Sequence, residues 1–189
     1  VKVPNVPQDV EVHQLLCGRD VAIGRDAVSQ MASQMANYVY VVVDARAGAG
    51  RSAVVVDGCW DVEGLLQLCR EDLSVGAVTA AVYTHRHFDH TGGRLPRMMT
   101  RGQRVVVPGL HSFVEQGIPV GVGRDDVEAV ARQCGVEVAS VRALEEGDSV
   151  SIGGAGSPAL SVLCTPGHTT GSVCFWLGSA EKAASMPSV

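Results

Sequence analysis

Three histidines and one aspartate lie within six residues of the chain: His85, His87, Asp89 and His90. They follow directly after the apolar run Val78–Tyr83, which is typical of a buried strand. Burying imidazoles and a carboxylate is costly unless a cation compensates, and this donor set suits Zn²⁺, Mn²⁺ or Fe²⁺. The spacing therefore predicts a metal site, where two neighbouring ions could hold and activate a water molecule.

A further histidine, His168, follows a second apolar strand and lies in a Pro-Gly loop. A single histidine is most often a structural residue that forms hydrogen bonds, so this position alone would indicate little. Because the chain also carries the cluster at 85–90, we interpret His168 as one more ligand of the same site.

Strands and helices alternate along the chain and carry these residues in loops. The predicted strands are 38–43, 52–56, 78–83, 105–108, 149–152, 160–164 and 173–177, and the predicted helices are 61–69 and 125–134. This pattern predicts an α/β fold with functional residues in loops after strands. We expect residues 1–34 to be irregular, 35–177 to form one domain and 178–189 to be a polar tail.

Composition limits the classes of function. With 46% hydrophobic and 19% charged residues, the 189-residue chain is long and apolar enough for one domain with a core. No apolar run has the length of a membrane span, so no membrane partner is expected. The net charge of −5 disfavours nucleic acid. Four arginines form a local exception, which fits a solvated face or a contact with an anionic substrate or RNA: Arg94, Arg97, Arg101 and Arg104.

The six cysteines are dispersed and include no CxxC pair, so they are predicted to be buried free thiols in a reducing compartment. The first residues show no signal-peptide pattern and no initiator Met. We therefore expect a cytoplasmic protein; a mitochondrial location is the alternative, because the N-terminus is expected to be missing.

The motif His85–His90, read as HxHxDH, resembles that of the metallo-β-lactamase superfamily. The segment Thr165–Ser172 resembles the TPGHTxGS run of its glyoxalase II-like hydrolases, and Asn37–Tyr40 resembles their NYxY strand. The resemblance covers roughly residues 35–177 and implies an αββα sandwich. This chain would supply the first part of that sandwich, with an incomplete second half.

The resemblance also implies roles for single residues. His85, His87 and His168 would bind a first metal ion, and Asp89 and His90 would contribute to a second; Asp89 is also the candidate catalytic residue. Asp57, which ends a strand, would orient a ligand imidazole; the alternative is a turn-forming Asp-Gly. The implied cofactor is one or two Zn²⁺ ions, with Fe²⁺ and Mn²⁺ as alternatives.

The chain departs from the family pattern after His168. The family has a bridging aspartate and a further histidine there, and this chain has neither. We therefore expect a truncated chain with a weak second metal position and weak or no activity.

The implied activity is hydrolysis of a thioester, such as a glutathione thioester, by a metal-bound hydroxide. Three alternatives stay open. They are an iron-dependent oxidoreductase similar to the persulfide dioxygenases, a nuclease of the same fold, and a non-catalytic remnant that binds metal or a partner. The oligomeric state, the acyl group and the thiol carrier are not predicted.

Overall fold

The computed structural model describes residues 1–46, 50–100 and 102–178. Five α-helices lie in these ranges: α1 (Ala27–Met35), α2 (Val62–Glu71), α3 (Phe88–Thr91), α4 (Leu110–Glu115) and α5 (Val127–Cys134). The same ranges contain eleven strands: β1 (Val10–Leu16), β2 (Tyr38–Asp44), β3 (Ser52–Val56), β4 (Ala77–Tyr83), β5 (Gly93–Arg94), β6 (Val106–Val107), β7 (Val120–Gly123), β8 (Val141–Leu144), β9 (Ser149–Ser151), β10 (Ala159–Cys164) and β11 (Val173–Leu177).

Six of the strands form the main sheet, in the order β1-β2-β3-β4-β7-β8. The pairs β1–β2 and β2–β3 are antiparallel, whereas β3, β4, β7 and β8 run parallel to one another. The carboxyl ends of parallel strands meet at one edge of a sheet, and the loops that follow them are brought together there. The cluster at 85–90 follows β4, so it lies at this edge.

Both faces of β2 and β3 are buried, which explains the nearly continuous apolar runs in these two strands. Val41 and Val55 pack on the side of the helices, together with core residues from α2 and α5. Val42 and Val54 point to the opposite side, where they pack with residues of β10. The alternation follows from the two-residue period of a strand.

The second sheet has the order β11-β10-β9, and its strands are antiparallel. Leu160, Val162 and Val173 pack against Val54 and Val82 of the main sheet. The layers are therefore helices, main sheet and second sheet. This arrangement confirms the predicted α/β sandwich.

Several predicted elements are confirmed. β2, β3 and β4 have nearly the predicted bounds, and β2 and β3 are antiparallel neighbours. Asp61 begins α2 as its N-cap and accepts a hydrogen bond from Gly64 N at 2.9 Å. Gly92 has φ 72°, and a Cβ there would come within 2.7 Å of Val107 O, so the chain requires glycine at this turn.

The prediction that residues 1–34 are irregular is wrong. β1 pairs with β2 along its whole length, from Val10 opposite Asp44 to Leu16 opposite Tyr38, and α1 begins at the N-cap Asp26. β1 lies at the edge of the sheet and is only partly buried, so its polar residues hide the pattern of a strand. Because β1 belongs to the main sheet, the predicted boundary at residue 35 is wrong as well. The predicted tail lies outside the described residues beyond Gly178.

Candidate metal centre

Three histidines from two loops come together at the edge of the main sheet. His85 and His87 lie between β4 and α3, and His168 lies between β10 and β11. One ligand nitrogen of each ring lies within 4.8 Å of those of the other two. The ring centroids are 4.9 Å apart for His85–His87, 4.7 Å for His85–His168 and 4.6 Å for His87–His168. We call these residues the three-histidine group.

The two sheets are joined next to this group. Val173 N, at the start of β11, donates a hydrogen bond to Thr84 O at 2.8 Å. Thr84 follows β4 and directly precedes His85, so this bond joins the ends of β4 and β11 one residue before the first histidine. His85 is buried, whereas His168 is exposed, so the group opens to solvent on the His168 side.

The protonation of His85 and His87 suits a metal ion. Burial, and then the neighbouring His90, lower the pKa of His85 to about 4. Burial and the neighbouring His168 also lower the pKa of His87. Both imidazoles are therefore neutral near pH 7, and a neutral imidazole is the form that binds a metal. Three imidazole nitrogens within this spacing fit a Zn²⁺-type ion with a fourth position left open.

Hydrogen bonds fix the orientation of the His85 ring. Thr84 Oγ1 donates to Asp57 Oδ2 at 2.8 Å and lies 3.0 Å from His85 Nδ1. Because the hydroxyl proton of Thr84 goes to Asp57, the Thr84 oxygen accepts from His85 Nδ1–H. This leaves the lone pair of His85 on Nε2, available for an ion.

Asp57 also contacts the third histidine of the HxHxDH motif. Its Oδ2 lies 3.0 Å from His90 Nδ1, and its Oδ1 accepts from Thr84 N at 2.8 Å. Asp57 is 5% exposed and has φ 56°, a left-handed conformation that aspartate tolerates at a turn. The structure thus places Asp57 both at the Asp-Gly turn and in contact with the histidine loop, so the two interpretations of its sequence are compatible.

Asp89 and His90 are neighbours of His87 in the same loop, and Asp89 Oδ2 and both ring nitrogens of His90 already have hydrogen-bond partners. Asn37 Nδ2 donates to Asp89 Oδ2 at 3.0 Å and lies 3.2 Å from His90 Nε2. The proton that His90 Nδ1 shares with Asp57 leaves His90 Nε2 as the acceptor. Burial acts to lower the pKa of His90, but the hydrogen bond with Asp57 and the two nearby carboxylates outweigh it and raise this pKa.

Several residues that hold the histidine loop are not evident from the sequence. Asn37 stands out there only as part of a strand motif, and Asp126 and Gln133 only as parts of a helix. Gln133 Nε2 donates to Arg86 O at 3.2 Å and to Gly92 O at 2.9 Å. The local sequence shows no sign of these roles, because every partner is distant along the chain.

The cysteines are only partly as predicted. All six are free thiols, but Cys164 and Cys174 are exposed; Cys164 ends β10 and Cys174 lies on β11. Cys59 is buried, and its Sγ donates to Asp89 O at 2.8 Å. Arg94, Arg97 and Arg104 are exposed, as the solvated-face interpretation predicts, and Arg101 lies outside the described residues.

None of the helices in the described ranges combines the length and the apolar character that crossing a membrane requires.

Two curated proteins are similar to this chain in sequence. The chain is 30% identical over 158 residues to a hydroxyacylglutathione hydrolase of Rhodospirillum rubrum, which covers 83% of this chain and 48% of the relative. It is 25% identical over 142 residues to a probable polyketide biosynthesis zinc-dependent hydrolase of Bacillus velezensis, covering 75% of this chain and 51% of that protein. The chain spans about half the length of these two curated relatives.

A solved structure and a family model are also similar to this chain. The solved metallo-β-lactamase of Pontibacter korlensis superposes with a TM-score of 0.54 at 18% identity, covering 94% of this chain and 66% of that one. The model of the metallo-beta-lactamase superfamily matches residues 34–96, which include β2, β3, β4 and the HxHxDH loop. Residues 34–96 therefore belong to a metallo-β-lactamase superfamily domain.

Proposed function

We propose that this chain carries the metal site of a thioester hydrolase. The observation that carries the proposal is the three-histidine group, whose ligand nitrogens lie within 4.8 Å of one another. When bound, a divalent ion would supply Lewis acidity and lower the pKa of a water molecule. Zn²⁺ is the first choice for three imidazoles, and Fe²⁺ and Mn²⁺ are the alternatives.

Each residue of the site has a proposed task. His85, His87 and His168 bind the ion. Asp57 contacts His90 directly and contacts His85 through the Thr84 hydroxyl. These contacts support the proposed role of this carboxylate in orienting ligand rings.

Asp89 is the proposed catalytic residue. Its carboxylate lies next to the three-histidine group and can accept a hydrogen bond from the attacking water, which would orient the water toward a carbonyl carbon. Asn37 fixes Asp89 Oδ2 for this task. Asp89 and His90 are also the proposed ligands of a second ion, which would have to displace the Asn37 amide from His90 Nε2 and from Asp89 Oδ2 to use these two atoms.

The similarity to a hydroxyacylglutathione hydrolase supports a glutathione thioester as the substrate class. The test is an assay of the zinc-loaded chain with hydroxyacylglutathione and other acyl thioesters. We expect weak turnover that chelation abolishes and Zn²⁺ restores. His87→Ala should abolish this turnover, and His111→Ala should retain it. Absence of turnover with every acyl thioester would reject the proposal.

One observation favours a second candidate, an iron-dependent oxidoreductase similar to the persulfide dioxygenases. Asn37 holds Asp89 and His90, so the three-histidine group offers a site for a single ion, as that chemistry requires. Metal analysis and oxygen consumption with glutathione persulfide separate the two candidates. An iron protein that consumes oxygen and leaves thioesters intact would favour the oxidoreductase.

A further inference from the structure

One buried carboxylate joins the two loops that carry the three-histidine group. Asp126 is 0% exposed and lies in the turn before α5, away from both loops in sequence. Its two oxygens accept hydrogen bonds from residues of the 84–93 loop and of the 165–172 loop.

Each oxygen of Asp126 contacts both loops. Oδ2 accepts from Arg86 N at 3.1 Å and from Thr169 Oγ1 at 2.6 Å. Oδ1 accepts from Arg86 Nη1 at 2.7 Å and from Gly171 N at 3.3 Å. The carboxylate therefore fixes the distance between the loops through four bonds, not through one contact that could shift alone.

The bonded residues are direct neighbours of the histidines. Arg86 lies between His85 and His87, and Thr169 follows His168. The loop around Gly171 also comes very close to Asp126, since a Cβ on Gly171 would lie 2.6 Å from Asp126 N. A small displacement of Asp126 would therefore move the backbone on both sides of the site.

We propose that Asp126 is a positioning residue that holds the His85–His87 loop and the His168 loop at the spacing that metal binding requires. The inference rests on the proposed metal site. A buried carboxylate that loses its donors carries a large desolvation cost, so the four bonds act as a unit. Residues that orient metal ligands typically change metal affinity about 10- to 100-fold when they are removed.

The chain offers a matched control for this proposal. Asp44 is also 0% exposed, and it also pairs with an arginine and a hydroxyl. Its Oδ2 accepts from Arg46 Nη2 at 2.7 Å and from Ser157 Oγ at 2.7 Å. Neither Arg46 nor Ser157 lies within the loops that carry the three histidines. Loss of Asp44 therefore reports the cost of breaking a buried ion pair without disturbing the site.

The test measures binding of Co²⁺ to the 189-residue chain and the visible absorption of the bound ion, which reports the ligand geometry. We expect Asp126→Asn to weaken Co²⁺ binding about 10- to 100-fold and to change the absorption spectrum. Asp44→Asn should leave both within experimental error of the original chain. Equal affinity and equal spectra in the two variants would overturn the proposal, as would a chain that binds no Co²⁺.

A second pair of variants keeps the test decisive if Asp126→Asn does not fold. Thr169→Val removes the hydroxyl with little change in shape, whereas Thr169→Ser keeps it. We expect Thr169→Val to weaken Co²⁺ binding and Thr169→Ser to retain the affinity of the original chain. Equal Co²⁺ affinity in both variants contradicts the proposal. If these affinity contrasts appear while acyl thioesters are not hydrolysed, the proposed function fails and the role of Asp126 stands.

Discussion

The two halves of the HxHxDH loop differ in how their ligand atoms are satisfied. His85 and His87 meet His168 with the ligand nitrogens of the three rings close together. Asp89 and His90, only a few residues further, already have partners in Asn37 and Asp57. The difference teaches that adjacent positions of one motif can be left open for an ion or closed by hydrogen bonds, depending on side chains elsewhere in the fold.

This comparison predicts that a first ion binds the three-histidine group. His87→Ala should therefore abolish tight binding, a loss larger than the roughly 100-fold upper range for residues that only orient a ligand. His111→Ala is the control, because His111 lies on α4, outside the group. Calorimetric titration with Zn²⁺ measures both. Equal affinities would show that the ion binds elsewhere.

The lowered pKa of His85 predicts how the metal-free chain responds to acid. Its value in the folded chain is about 4, below the unfolded value of 6.5. Since the unfolded chain takes up the proton first, the contribution of His85 to stability is full above pH 6.5. It is lost as the pH falls from about 6.5 to about 4.

Urea unfolding of the metal-free chain at several pH values checks this expectation. The raised pKa of His90 works in the opposite direction, because that contribution is present at low pH and is lost as the pH rises through the folded value. His85→Gln isolates the His85 effect, and we expect its stability to fall less between pH 6.5 and 4. An unchanged pH dependence would contradict the assigned burial.

Asp57 contacts His90 directly and His85 through the Thr84 hydroxyl, so its removal should affect both halves of the loop. Asp57→Asn replaces an acceptor oxygen by a donor next to His90 Nδ1 and Thr84 Oγ1. We expect Zn²⁺ affinity to fall about 10- to 100-fold. Asp61→Asn is the control, since Asp61 caps α2 and asparagine is an equally good N-cap. Similar Zn²⁺ affinities in both variants would show that Asp57 serves only to form the turn.

Asn37 should have the smallest effect, and it should act on the second position. Asn37→Ala removes the amide that a second ion must displace, so we expect the second equivalent of Zn²⁺ to bind about 3- to 10-fold more tightly, the size of one net hydrogen bond. Binding at the three-histidine group should stay nearly constant. Gln14→Ala removes a comparable amide, bonded to Tyr40, as the control. A weaker second equivalent in Asn37→Ala would mean that Asn37 supports this ion.

Much of the fold could be predicted from local patterns. The strands β2, β3 and β4 are long apolar runs, and the capping Asp61 fixed the start of α2. β7 was missed because its sequence Val-Gly-Val-Gly reads as a loop. It becomes a strand through parallel pairing with β4 and β8, which only the assembled sheet supplies. β1 was missed because an edge strand needs little apolar sequence.

The candidate site shows the same limit. The motif around His85 and the loop at His168 could be found because chemistry-bearing residue types are dense there. The contacts of Asn37 and Asp126 could not, because their partners lie 52 and 43 residues away, at Asp89 and Thr169. Hydrogen-bonded support of a site is a property of the fold, and a single sequence does not reveal it.

The most direct test of the central claim is the location of the ion. Anomalous diffraction at the zinc edge from crystals of the zinc-loaded chain would locate it. We predict one strong peak bound by His85, His87 and His168, at the roughly 2.0–2.1 Å usual for zinc and imidazole nitrogen. A first ion bound only by Asp89 and His90, or by residues outside the two loops, would contradict the account.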